Sequence, residues 1–197
     1  LRTILAGIYI VGLVISEGLR LPQRFRRTFS GQKRHKPEGS RRASEVIVLA
    51  AIAGGIWILP LLSVFTGWFD AFDYIVPKWI LGLGCGVFLV SMGLRCAAQS
   101  ALGSSWSPTL ETASQQQLVT SGVYRRIRHP LYTSLILWAM AQPVLLQNYI
   151  AGFSGALAVA AIWFVRVPAE ERMMCERFGA AYLHYMKRTG KVIPRLR

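Results

Sequence analysis

Acidic residues are scarce in this chain. Nine Asp+Glu stand against 23 Lys+Arg, and charged residues of both signs make up only 16% of its 197 positions, where soluble domains carry about 25%. That scarcity, with 53% hydrophobic residues, excludes a soluble α/β enzyme and a disordered basic tail. Cysteines number three, Cys85, Cys96 and Cys175, without a C-x-x-C pair, which excludes a secreted disulfide scaffold. His35, His129 and His184 are scattered and offer no clustered metal site. Walker and G-x-S-x-G motifs are absent. Gly82-Leu83-Gly84-Cys85-Gly86 lies inside an apolar run, with no strand before it to make a dinucleotide loop. There, Gly82 and Gly86 at i, i+4 read as a close helix–helix contact. What the chain has instead is long uncharged stretches with basic residues swept into blocks, the pattern of a membrane protein.

Val46 to Trp68 runs 23 residues without a charge, enough to cross a hydrocarbon core of ~30 Å. Pro60 within it predicts a kink, tolerable where neighbours satisfy the freed carbonyl. Thr3 to about Leu19 reads as a retained first span, since no convincing small-residue cleavage site follows it. A third span begins near Pro77 and runs to Leu94 or beyond. Leu131 to Val165 holds 35 residues and no charge; as one helix it would be about 52 Å long, too long for a bilayer. Gln142-Pro143 and Gln147-Asn148 are turn signals near its middle. The stretch therefore reads as a hairpin of two helices, roughly 131–146 and 149–165. The expected fold is all-α: a polytopic integral membrane protein with five transmembrane helices, a C-terminal helical hairpin and a cytoplasmic tail helix. It forms a single domain, 1–197, with three spans and a basic loop in 1–98. Residues 99–197 hold a loop, the hairpin and the tail.

Nine Lys/Arg and one Glu lie between Arg20 and Arg42, and eight Lys/Arg in Arg166–Arg197. The loop Gly67–Lys78 has Asp70, Asp73 and one Lys, the next brings Arg125, Arg126 and Arg128, and the hairpin turn is uncharged. Basic and non-basic loops alternate, so the positive-inside rule puts the N-terminus outside and the C-terminus in the cytoplasm. Nucleic-acid binding is the rival reading of block 20–42. A topogenic loop meeting anionic lipid fits better, because only Phe25 and Phe29 interrupt it and a stacking platform needs more.

The polar sequence around the last two spans is where chemistry can reside. Pro130 suits the first position of a helix, with His129 at its cap. Free amides there, with Arg125 and Arg128, could hold an anion; a plain cap with interfacial arginines reads equally well. After the hairpin, Pro168 is expected to restart a helix whose first turn holds Glu170 and Glu171, which complement its dipole. Arg166 is either an interfacial anchor or a cation for a ligand. The tail helix continues through Phe178, Tyr182 and Tyr185/Met186, ending at Gly190 and Pro194.

The run LVTSGVYRRIRHPLY, then a helical hairpin, then RVPAEE, then FGAAYLHYMKRTGKVIP resembles the isoprenylcysteine carboxyl methyltransferase family, relatives of the phospholipid N-methyltransferases. The likeness covers roughly Gln115 to Pro194. It implies an integral membrane methyltransferase that uses S-adenosylmethionine, releases S-adenosylhomocysteine and has no Rossmann domain. By position, Gln116, Gln117, Leu118, Val119 and Tyr124 would line the cofactor site, with His129, Pro130, Leu131, Tyr132 and Glu170. Arg166 falls where the family holds the substrate carboxylate, and Arg166 and Glu170 are the pair to which catalysis is assigned. Gln116 and Ser134 stand where the family often has His and Gly. The implied partners are a lipophilic or prenylated substrate and membrane lipid, with no nucleic acid. The compact chain resembles prokaryotic members, which implies a prokaryotic cytoplasmic membrane.

A carboxylate nucleophile is already ionised at neutral pH and needs a cation to hold it, which Arg166 offers as a bidentate fork. Methylation of an amine lipid is the alternative within enzymes; an amine must lose a proton, and Arg166 would not help it. An NADPH-dependent sterol reductase-like enzyme shares a related C-terminal pattern but lacks Pro after this His. A non-catalytic scaffold or transporter subunit is the alternative of another class; no charge is expected inside spans two to five, which argues against an ion pathway.

Overall fold

A computed structural model describes residues 1–21, 34–35, 40–103, 112–113 and 118–195. The chain is an integral membrane protein built of six helices among the described residues: α1 (Arg2–Gly18), α2 (Ala43–Phe65), α3 (Lys78–Leu102), α4 (Pro130–Leu146), α5 (Tyr149–Phe178) and α6 (Ala180–Arg188). A two-residue antiparallel pairing, Arg34–His35 with Thr112–Ala113, joins two of the connections. By length and composition α2, α3 and α5 are able to cross a membrane. At 17 residues each, α1 and α4 are about 25 Å long, short of the ~30 Å core.

Trp138 of α4 is the centre of the packing. Its ring meets Tyr9 of α1 edge-on at 5.4 Å and Phe88 of α3 at 4.7 Å, and all three are at most 2% exposed. Edge-to-face pairs of this kind add to the burial itself. The indole N–H donates to the Tyr9 hydroxyl (3.1 Å), which donates in turn to the Ile56 carbonyl of α2 (2.8 Å). That last bond answers the expected kink. Pro60 has no N–H, so the carbonyl one α-turn before it, Ile56, loses its helical partner. α2 also slips into a π-turn over Ala53–Ile58. In π register the carbonyl that Pro60 would have served is Gly55, and it accepts from Gln142 Nε2 (2.9 Å) and Ser154 Oγ (2.7 Å). Neighbouring helices thus complete the broken ladder.

The hairpin turns where Gln147-Asn148 predicts. Gln147 is left-handed (φ 49) and closes α4, while Asn148 Oδ1 caps α5 by accepting from the amides of Ile150 and Ala151. Gln142-Pro143, read as a second turn signal, lies inside α4. Gln142 is fully buried and its amide donates to Gly55, Ala151 and Ser154; a polar knot among three helices looks like a turn when only one strand of sequence is seen.

Four further expectations need correction. Gly82 and Gly86 face open space, and the close contact is through Gly84, where a Cβ would lie 2.4 Å from Val144 Cγ1. Pro168 does not restart a helix: α5 runs unbroken to Phe178 through a π-turn at Ile162–Arg166, closed by a Val167 N–H to Ile162 O bond. The tail is not one helix either, since Gly179, at φ +48, divides α5 from α6. Finally, the expectation of uncharged spans fails in α3, which carries Arg95, only 4% exposed, with its guanidinium 5.9 Å from the Trp138 ring centroid.

Candidate functional site

The candidate residues gather where α4 begins and α5 ends. Leu118 and Val119, half-buried, lead into a 3-10 turn at Gly122–Arg125 whose Tyr124 side chain is buried. Gln116 and Gln117 lie outside the described residues. Beyond α6 the chain folds back along this entry segment. Gly190 N–H donates to Arg126 O (3.0 Å), and the amides of Arg128 and His129 donate to Gly190 O (2.8 Å) and Lys191 O (3.0 Å). Thr133 Oγ1 adds a bond to Val192 O (2.7 Å). The helix entry therefore has its flanking amides taken by the tail, which removes them from the anion site considered above.

Arg128 has a matching role. It is buried against the tail, where Nη1 donates to Met186 O (3.0 Å) and Nε pairs with Glu171 Oε1 at 3.3 Å. A guanidinium on the last carbonyls of α6 is a C-terminal cap with favourable charge. Glu171 also meets Lys191 Nζ at 3.0 Å and His129 Nε2 at 3.4 Å. Of the two adjacent glutamates, Glu171 is the one that ties down the tail.

Glu170 faces the other way. Its Oε2 accepts the Tyr132 hydroxyl at 2.7 Å and lies 3.6 Å from His129 Nδ1. The His129 and Tyr132 rings stack at 5.4 Å with planes 18° apart; residues three apart on the first turn of α4 make that stack available. Tyr132 is hydrogen-bonded to Arg166 as well, and Tyr132, Glu170 and Glu45 are the groups whose charge Arg166 feels. Tyr132 is thus the bridge between the guanidinium and the carboxylate. Arg166 is 8% exposed at the end of the π-turn, where the extra residue per turn changes which side chains face inward.

Burial would by itself depress the His129 pKa, but hydrogen bonds to Glu170 and Glu171 outweigh it and raise the imidazole above its ordinary value. Burial pushes the Tyr185 phenol up to about 12, with Arg128 pulling the other way, and raises Tyr124 and Tyr182 further. These phenols stay neutral donors, and Tyr185 spends its proton on the Tyr124 carbonyl at 2.6 Å, fixing α6 to the 3-10 turn.

The structure brings Tyr124, His129, Pro130, Leu131, Tyr132, Arg166 and Glu170 to one end of the bundle. It adds Glu45, the first carboxylate of α2, which the sequence reading passed over; a lone acid at the mouth of an apolar run was the available signal. Among the described residues no group of three or more His, Cys, Asp or Glu is arranged to hold a metal.

Residues 82–176 match the sequence model of the isoprenylcysteine carboxyl methyltransferase (ICMT) family. Protein-S-isoprenylcysteine O-methyltransferase B of Arabidopsis thaliana is 30% identical over 118 residues, 59% of this chain and 60% of that protein. The Homo sapiens protein-S-isoprenylcysteine O-methyltransferase is 37% identical over 113 residues, 55% of this chain and 40% of its own length. The chain thus spans three-fifths or less of these curated relatives. Among solved structures, a eukaryotic intramembrane Ras methyltransferase ICMT superposes with a TM-score of 0.54 at 25% identity, covering 80% of this chain and 54% of that one.

Proposed function

We propose that this chain, whose residues 82–176 match the isoprenylcysteine carboxyl methyltransferase family model and which is similar to the methyltransferases above, moves a methyl group from S-adenosylmethionine to the carboxylate of an isoprenylcysteine-like lipophile. The observation that carries this reading is the junction at Tyr132, which joins a buried arginine to a carboxylate at the end of an apolar bundle.

The donor set suits the cofactor. Glu170 Oε2 is engaged by Tyr132, and among the described residues Oε1 is left for another donor, which an ammonium group satisfies with a charge-assisted bond. The Tyr132 hydroxyl and His129 Nδ1 reach the same Glu170 oxygen while their rings stack on each other, and stacked aromatic rings at a carboxylate suit a cationic group. Leu118, Val119 and Tyr124 precede this corner in the chain, and Pro130 and Leu131 open α4 beside it; with Gln116 and Gln117 they complete the set assigned to the cofactor. S-adenosylmethionine supplies, when bound, an electrophilic methyl group on a sulfonium.

Arg166 holds the acceptor carboxylate with its fork of N–H groups. No base is needed, because the carboxylate arrives ionised. The protein's contribution is alignment of the two reactants and exclusion of water, and the lipid portion of the acceptor reaches the site sideways between helices. α1 to α5 are read as five spans, with the 17-residue α1 and α4 at the lower limit of spanning length, and the basic segments and the site on the cytoplasmic side.

The experiment is methyl transfer by purified protein to an N-acylated S-prenylcysteine, with calorimetry of S-adenosylhomocysteine in parallel. Arg166→Ala is expected to lose about a hundredfold or more in kcat/KM for the acceptor, the scale of a charged pair lost from a site, while keeping product affinity. Glu170→Ala is expected to lose product affinity. Full turnover in Arg166→Ala, or undiminished S-adenosylhomocysteine binding in Glu170→Ala, overturns the assignment.

A further inference from the structure

The second apolar helix begins on a carboxylate that the chemistry above does not use. Glu45, near the N-terminal end of α2, is only 7% exposed. Three residues on, Val48 is 1% exposed and packs with Leu135 of α4 and with Ile162 and Val167 of α5, while Tyr132 and Val165 border the same cluster. Residues three apart share one helix face, so Glu45 extends the Val48 face toward the level of Arg166 and Val167. A buried carboxylate is strongly disfavoured unless a cation or several donors answer it. Arg166, itself 8% exposed, is a cation on the turn against which α2 packs, and it feels the Glu45 charge. Neither side chain is without a partner.

We propose that Glu45 is a positioning residue, a buried carboxylate that draws one edge of the Arg166 guanidinium toward α2 while Tyr132 holds another. Arginine presents five N–H groups in a rigid plane, so holding two edges fixes the direction of the remainder, which then faces the acceptor carboxylate. Glu45 touches neither reactant. Its effect reaches the reaction through Arg166 alone, and it ties the placement of α2 to the geometry of the site. The proposal rests on the carboxylate-methylating reading above.

The test uses the full-length chain in detergent or nanodiscs and four proteins: wild type, Glu45→Gln, Arg166→Ala and the double variant, with Glu45→Asp for rescue. Glu45→Gln is expected to lower kcat/KM for an N-acylated S-prenylcysteine about tenfold, a change typical of coupled neighbours. S-adenosylhomocysteine affinity is expected to change by less than about twofold, as for a group with no share in that site. Glu45→Asp recovers part of the loss, and Glu45→Gln adds nothing once Arg166 is alanine. Unchanged kcat/KM in Glu45→Gln overturns the proposal, as does an equal loss of acceptor and product affinity, or effects that simply multiply in the double variant. Should the wild type methylate no prenylcysteine at all, the functional reading fails. The same four proteins then still decide the pair by Tm: a non-additive cycle keeps Glu45 on Arg166, and an additive one removes it.

Discussion

At the scale of single residues, adjacent side chains divide the work. Glu170 turns to Tyr132 and Glu171 to the tail, and His129 stands between them with one nitrogen toward each. Because its folded pKa is raised, the charged imidazole stabilises the fold fully below the unfolded value, about 6.5. That contribution is lost as pH rises through the higher folded value. The expected result is a Tm difference between wild type and His129→Gln that is largest below about pH 6.5 and shrinks at alkaline pH. A difference that stays constant from acid to alkaline pH shows that the His129 charge contributes nothing. That His129, Tyr132, Arg166 and Glu170 would lie together was legible through the family resemblance, because each sits in one of its short matching runs. The division between Glu170 and Glu171 was not, since it depends on where Lys191 and Arg128 arrive from distant parts of the chain. Arg128 likewise read as a ligand cation, and only the return of the tail makes it a cap.

At the scale of elements, apolar length located the helices and hid their faces. Glycines two apart point some 200° apart on a helix, so Gly84 and its neighbours Gly82 and Gly86 cannot serve the same contact. The sequence pattern favoured the i, i+4 pair, and the packing chose the residue between them. The π-turn before Pro60 was illegible for a related reason: whether Pro60 breaks its helix depends on Tyr9, Gln142 and Ser154, donors that belong to other segments. Gly84→Leu is expected to cost roughly 1–3 kcal/mol or more through overpacking, because β-branched Val144 has little freedom to move aside. A Cβ at Gly82 meets nothing within 4 Å, and Gly82→Leu is expected to leave Tm unchanged. Thermal unfolding of the two variants side by side checks the assignment, and equal destabilisation by both would place the contact on the wrong face.

At the scale of the whole molecule, the two ends of the bundle differ in charge. At one end Arg2 pairs with Asp73, Asn148 Nδ2 donates to Phe69 O and Asp73 Oδ1 at 2.7 Å each, and the Tyr74 amide reaches Gln147 O at 3.0 Å. These contacts put the start of α1, the loop from α2 to α3 and the hairpin turn together, whatever membrane surrounds them. The other end gathers Arg20, Arg125, Arg126, Arg128 and Arg166 with the tail, and Glu17, Glu45, Glu170 and Glu171 are among its acids. Of 23 basic residues, the blocks at 20–42 and 166–197 hold most, so the composition that marked a membrane protein also orders its two faces. The proposed orientation rests on the bias of Lys and Arg toward the cytoplasm, and the proposed five spans would put the two termini on opposite sides. With Cys85, Cys96 and Cys175 replaced by serine, a single cysteine at exposed Asp70 is expected to react with a membrane-impermeant maleimide in intact cells. A single cysteine at exposed Arg188 is expected to react only after the membrane is opened. Labelling of both positions from the same side would rule out five spans in this arrangement and move the Arg166–Glu170 corner away from the compartment that holds S-adenosylmethionine.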